Sequence, residues 1–307
     1  MRGDGVYVDY IKSFSFSKDK NSSVFDDLRE SSAEMILYQI LFSVTGIAGL
    51  FSNGFVLFIF LRNKRLLDKK NAFIFNLAFV DALYGVFLIC MCFSGSVGFR
   101  GITFACNMTM LLLSCIALDR YIALVLYPLT YHSKVTWKRL RLSILGTWIS
   151  CFIFTVCELE VTRISIKTAF LAGAFILVAS QVLILCLYGT VYVAILQQEK
   201  KVVDQKLRSR CKRGKQRAAI FSMLVASFML CFLPQIVAVL LVPIKGSESL
   251  FEKKYSQLVV LSTIPPGIRA MLDPFIYCSK LPGIKETAMK LMKKIKRNQI
   301  ETTSTNQ

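Results

Sequence analysis

The sequence has a single histidine, His132, and no HExxH, GxSxG or paired-carboxylate pattern. Histidine-bound zinc chemistry, serine-centred hydrolysis and two-carboxylate catalysis therefore lack their residues, which argues against an enzyme. Ten cysteines in 307 residues are too sparse for a disulfide-stapled scaffold. The first 34 residues are polar and contain no apolar h-region. No cleavable signal peptide is expected, so the first apolar run must act as its own insertion signal. Internal repeats and paired broken helices, common in transporters, are also missing.

Apolar residues are abundant instead. They make up 54% of the chain, above the roughly 45–50% of soluble domains. The mean hydropathy is +0.54. Their clustering excludes a disordered chain and argues against a soluble protein of this length. A bilayer core about 30 Å thick needs roughly 20 mostly apolar residues in a helix. Seven runs meet or approach this: Met35–Leu61, Ala72–Phe93, Ile102–Leu126, Leu140–Cys157, Thr168–Leu196, Ala218–Ile244 and Leu258–Cys278. The expected fold is thus an all-α membrane protein, a seven-helix transmembrane bundle. Residues 1–34 form an outer tail, 35–278 the bundle, 279–297 an amphipathic cytoplasmic helix and 298–307 a cytoplasmic tail.

The net charge of +19 first suggests a nucleic-acid binder, but its distribution removes that reading. Connections 62–71, 127–139, 197–217 and 279–307, with Arg141, carry 25 Lys/Arg against five acids. The alternate connections 1–34, 94–101, 158–167 and 245–257 carry 11 of each sign. Basic residues flanking spans on one side set topology rather than read bases. The N-terminus is expected outside and the C-terminus in the cytoplasm. Asn21-Ser22-Ser23 is then an outer glycosylation acceptor. Asn107-Met108-Thr109 matches the same pattern but lies within span three.

Ionisable groups at membrane depth are costly and mark interior or functional positions. The chain has Asp81, Asp119, Arg120, Arg269 and Asp273 there, with the polar Asn53 beside them. Six motifs also fall in order on six spans: Asn53-Gly54, NLAFVDAL (Asn76–Leu83), Asp119-Arg120-Tyr121, Trp148, CFLP (Cys231–Pro234) and DPFIY (Asp273–Tyr277). On these residues the chain resembles the rhodopsin-like (class A) G-protein-coupled receptors over about 35–297.

The resemblance implies roles. Arg120 sits at the cytoplasmic mouth, held by Asp119 at rest and released toward a heterotrimeric G protein. Tyr121 completes the motif, and Tyr188 and Tyr277 line the opened inner cavity. Pro234 removes a backbone hydrogen bond and lets span six bend. Phe232 takes the place of the usual ligand-sensing tryptophan, with Phe228 one turn inward. Asn53, Asp81 and Asp273 form the polar core. After Tyr277, Leu281, Ile284, Ala288, Leu291 and Ile295 space an amphipathic eighth helix expected on the membrane lipid. Thr302-Thr303-Ser304-Thr305 offers arrestin a phosphorylation cluster, or is only a polar tail.

Several departures stand out. The cysteine that ties outer span three to the second outer loop is replaced by Gly95. Only 39 residues separate Asp81 from Arg120, so Ser94–Gly101 is expected as the turn between spans two and three. Cys157 is within reach of Cys90 or Cys92, or all three are apolar filler. The amine-receptor aspartate position is Ile102, and the retinal-lysine position is Gly267. The missing span-three cysteine, the short second outer loop (Glu158–Lys167), the lack of proline in span five and DPFIY resemble the melanocortin, lysophospholipid, cannabinoid and adenosine branch, but the melanocortin acids are absent and the ligand stays open.

The family's sodium pocket maps to Asp81, Thr109 and a polar group on span seven. Arg269, one turn before Asp273, is expected to fill it, or else to turn toward a neighbouring helix. No other metal and no cofactor is implied. Gly214, amid Lys212, Arg213, Lys215 and Arg217, replaces the acid that locks Arg120, which implies raised basal activity. The function expected is a plasma-membrane receptor for an unknown ligand. A divergent seven-helix protein with lost or ligand-independent signalling, or a transporter, is the alternative.

Overall fold

The structure, a computed structural model, describes residues 32–127, 130–164, 166–201, 205–241, 258, 261–281, 283–291 and 293, with only the backbone course for 205–221. Asn21, Pro128 and Thr302–Thr305 lie outside the described residues. Seven long helices run in order: α1 Ser32–Arg62, α2 Ala72–Phe93, α3 Gly95–Tyr121, α4 Trp137–Ile164, α5 Ile166–Lys201, α6 Gln205–Leu241 and α7 Ile264–Lys280. A shorter helix, α8, covers 283–291.

Neighbours in sequence pack side by side, and α7 returns to α1 and α2 to close a ring. α3 alone also reaches α5 and α6 across the middle. Of its membrane-length window 67% is buried, against 17% for α4 and 22% for α5. So α3 is the axis of the bundle, and α4 and α5 form its outer wall. Large apolar side chains such as Phe51, Phe58, Phe175, Leu230 and Phe275 are exposed. On a soluble protein such continuous apolar surface would be a liability, whereas on a bundle it is what lipid requires.

Among the described residues five helices, α1 to α5, are long and apolar enough to cross a bilayer. In α6 the apolar part is the shorter stretch Ser222–Ala238. α7 is 17 residues long and contains Arg269 and Asp273 at membrane depth. It begins later than Leu258, with Pro265 and Pro266 in its first turn, where a missing N–H costs nothing.

The connections depart most from expectation. Ser94–Gly101 is not a turn: α2 ends at Phe93 and α3 begins at Gly95. The tight reversal is possible because a Cβ on Gly98 would lie 2.5 Å from the Met91 backbone, a space only hydrogen fills. The second outer loop also vanishes into helix, since α4 runs to Ile164 and α5 starts at Ile166. Cys90, Cys92 and Cys157 are free thiols, so neither disulfide forms. Cys157 is exposed on the outer wall.

The eighth helix packs against the end of the bundle. Leu281, Ile284 and Ala288 belong to the bundle's own core, with Leu291 packed against it. Leu66 lies where a Gly283 Cβ would stand, 2.6 Å away, and Asn63 Nδ2 donates to Thr287 Oγ1 at 3.0 Å. The apolar stripe therefore covers the end of α1 through Leu66.

α1 and α2 approach through Gly46 and Gly85. A Cβ on Gly85 would lie 2.6 Å from the Gly46 carbonyl oxygen and 2.8 Å from the Leu50 nitrogen. Both are backbone atoms that a helix cannot move alone. Gly85→Val is expected to destabilise by about 1–3 kcal/mol, the usual cost of overpacking. Gly54→Ala, with nothing within 4 Å of its Cβ, is the control on the same pair of helices. Thermal unfolding of the detergent-purified variants checks this, and an unchanged Gly85→Val midpoint would contradict the close approach.

Candidate functional site

Three polar assemblies lie along the bundle axis. The deepest joins α2 and α7. Arg269 is 1% exposed, and Asp81 and Asp273 are wholly buried. Arg269 Nη2 donates to Asp81 Oδ1, and Arg269 Nη1 donates to Asp273 Oδ2 one turn along α7. Ser227 on α6 donates to the other Asp273 oxygen at 3.4 Å. The planar guanidinium fork suits two carboxylates from different directions. Asp81 Oδ2, Thr109 Oγ1 and Arg269 Nε have no protein partner among the described residues.

Asn53 extends the assembly to α1. Its Nδ2 donates to the Ala270 carbonyl at 2.7 Å and to the Gly49 carbonyl at 3.0 Å. Tyr84 Oη, on α2, donates to the Thr263 carbonyl before α7 at 2.7 Å. Helices α1, α2 and α7 are thus cross-tied at depth. The sodium pocket of the wider family does not fit this donor set: a fixed cation already holds both carboxylates. Among the described residues no group of three or more His, Cys, Asp and Glu is placed to hold a metal.

The second assembly is at the end of α3. Arg120 Nη2 donates to Asp119 Oδ2, and both residues are buried. The Tyr131 hydroxyl, from the single helical turn Tyr131–Lys134, donates to Asp119 Oδ1 at 2.6 Å. Burial first, and the Asp119 carboxylate second, push the Tyr131 phenol well above its ordinary value, so it remains a donor at neutral pH. Immediately after Tyr121 the backbone widens into a π turn, Ile122–Leu126, closed by Tyr127 N–H to Ile122 O at 2.9 Å. Such turns are frequent at functional positions. Tyr121 packs on Val191 of α5. Tyr188 and Tyr277 are buried, and neither hydroxyl has a partner among the described residues.

On α6, next to the contact of Ser227 with Asp273, lies an aromatic packing step. The Phe228 and Phe232 rings are stacked with centroids 4.4 Å apart and interplanar angle 40°, both buried. Pro234 interrupts the hydrogen-bond ladder within the same helix. Trp148 on α4 donates from Nε1 to Asn76 Oδ1 at 3.2 Å, fixing α4 to α2. Gly214 lies in the backbone-only part of α6.

The third assembly, at the opposite end from Arg120, was not legible in the sequence. It is a cavity of about 80 Å³ among α3, α4, α5, α6 and Thr263. Ile102 lines it, but so does Glu158, which the sequence placed in a loop. Thr155 and Glu158 are three residues apart, the helical spacing that would have revealed a shared face had α4 been read as longer.

Seven helices closing a ring, apolar outside and charged within, define a multi-pass seven-helix membrane protein. The profile of the 7 transmembrane receptor (rhodopsin family) matches residues 52–277. The chain belongs to that family. Mouse (Mus musculus) C-X-C chemokine receptor type 5 is 28% identical over 150 residues, covering 44% of this chain. The chain spans only 38% of that relative's length. The crystal structure of squid rhodopsin matches over 86% of both chains with TM-score 0.70 and 19% identity, a likeness of fold.

Proposed function

We propose that the protein is a plasma-membrane receptor, N-terminus outside, that transmits a signal from the α3–α6 cavity to heterotrimeric G proteins. The observation that carries this reading is Arg120 held by Asp119 at the far end of α3 from the cavity, with Tyr131 tying Asp119 down. Activation requires a partner that prefers Arg120 released. A ligand shifts the population by binding more tightly to the bundle in which α6 has bent at Pro234. The Phe228–Phe232 stack is the contact that such bending disturbs, and Tyr188 and Tyr277 supply hydroxyls to the space that opens. The N-terminal tail, glycosylated at Asn21, and a C-terminal cluster offered to arrestin complete the reading.

A second reading has one observation in its favour. With Gly214 among lysines and arginines, span six has no acid to bind Arg120, which favours signalling without ligand. The two readings share the Arg120 mechanism and differ in the resting population.

Purified protein mixed with each G-protein subtype is expected to accelerate guanine-nucleotide exchange on at least one. Arg120→Ala is expected to reduce it roughly ten- to hundredfold, the loss of a charge-assisted contact. Exchange that survives Arg120→Ala, or that no subtype shows, would contradict the proposal.

Arg269 gives the resting state a built-in cation where relatives of the family use sodium. Replacing sodium by a large organic cation is therefore expected to leave the thermal midpoint and basal exchange of the wild type unchanged. A sodium-dependent shift of either, persisting in Arg269→Ala, sinks this assignment.

A further inference from the structure

Between Asp119 and the tyrosine that ties it down, the backbone leaves α-helical geometry. The π turn Ile122–Leu126 is closed by the Tyr127 N–H on the Ile122 carbonyl at 2.9 Å, so it holds one residue more than an α-turn. The same Tyr127 peptide carries the bonding onward: its carbonyl accepts the Tyr131 N–H at 3.0 Å. The Tyr131 carbonyl accepts the Val135 N–H at 2.8 Å, and the Val135 carbonyl accepts Lys69 Nζ at 2.9 Å. The place of the Tyr131 hydroxyl, 2.6 Å from Asp119 Oδ1, therefore depends on how the π turn closes. Deep packing does not pin that turn. None of Ile122–Leu126 is buried, Leu126 is 50% exposed and Tyr127 40%. Tyr121 and Leu124 pack on Val191 of α5.

An α-turn over the same residues would send the Tyr127 N–H to the Ala123 carbonyl instead, so the change of form keeps that bond. The additional residue then passes out of the turn. The chain beyond it rotates by about 100° around the α3 axis and advances by ~1.5 Å. Either movement carries the Tyr131 ring away from Asp119.

We propose that Ile122–Leu126 is a register switch, holding Tyr131 on Asp119 in its π form and withdrawing it in its α form. Tyr131 is then a positioning residue. It acts through Asp119, whose carboxylate is fixed while the phenol donates to it and can turn once the phenol leaves, letting Arg120 go. The two forms are the bistable element that a partner of Arg120 biases. The switch rests on the backbone geometry alone; only its effect on nucleotide exchange rests on the receptor reading above.

Deleting Ala123 removes the additional residue, so α3 runs on in α geometry while Tyr131 keeps its present place. Full-length wild type, the Ala123 deletion and Tyr131→Phe, each in lipid nanodiscs, are compared by hydrogen–deuterium exchange of peptides covering 119–131. Guanine-nucleotide exchange is read in parallel. The amides of 122–127 are expected to take up deuterium roughly tenfold more slowly in the deletion than in the wild type. In Tyr131→Phe they are expected to do so about three- to tenfold faster, the worth of one hydrogen bond. Nucleotide exchange is expected to follow: lower in the deletion, higher in Tyr131→Phe. Should the deletion not fold, Tyr131→Phe carries the comparison. Unchanged amide protection in the folded variants overturns the proposal, and so does a folded deletion that raises nucleotide exchange. The expected amide shifts, with nucleotide exchange absent even in the wild type, count against the receptor reading and leave the switch standing. Nucleotide exchange lost in Arg120→Ala while the amides do not move does the reverse.

Discussion

A guanidinium buried between two carboxylates ties α2 to α7 at the centre of the bundle. Arg269 comes from α7 and Asp81 from α2, and neither charge has access to water. Removing such groups from solvent costs several kcal/mol each, which only close mutual pairing offsets. Asn53 and Tyr84 add ties from α1 and α2 to α7 and the turn before it. Helices α1, α2 and α7 therefore hold one relative position. α6 packs on α7, contributes Ser227 to the cluster at 3.4 Å from Asp273, and contains a proline.

The two ends of the bundle are built differently. At one end α3 closes with a charge pair on adjacent residues and a π turn, an arrangement that puts Arg120 where a partner could take it from Asp119. At the other, helices continue with almost no loop and enclose a chamber with one carboxylate. α3 passes through both, and the Phe228–Phe232 stack stands beside it on α6. The geometry thus places the cavity at one end and the Asp119–Arg120 pair at the other, with the Arg269 cluster between them.

Much of this was readable from residues. Span order, the charged residues at depth and the position of Arg269 one turn from Asp273 follow from hydropathy and helical spacing. Loop lengths did not follow, because Ser94–Gly101 reads as glycine-rich turn although its glycines serve close helix packing. Glu158 looked like a loop acid because hydropathy falls at Cys157, while the helix continues to Ile164. Tyr131 was invisible as a partner of Asp119, since the contact depends on how the chain folds back after the π turn.

The most direct measurement is a double-mutant cycle on thermal or denaturant stability, using Asp81→Asn, Arg269→Gln and both together. If the buried bridge holds α2 to α7, the double variant is less destabilised than the sum of the single ones, by about 2–3 kcal/mol. Additivity within about 0.5 kcal/mol would mean that the two side chains act independently. The tie between α2 and α7 would then have no physical basis.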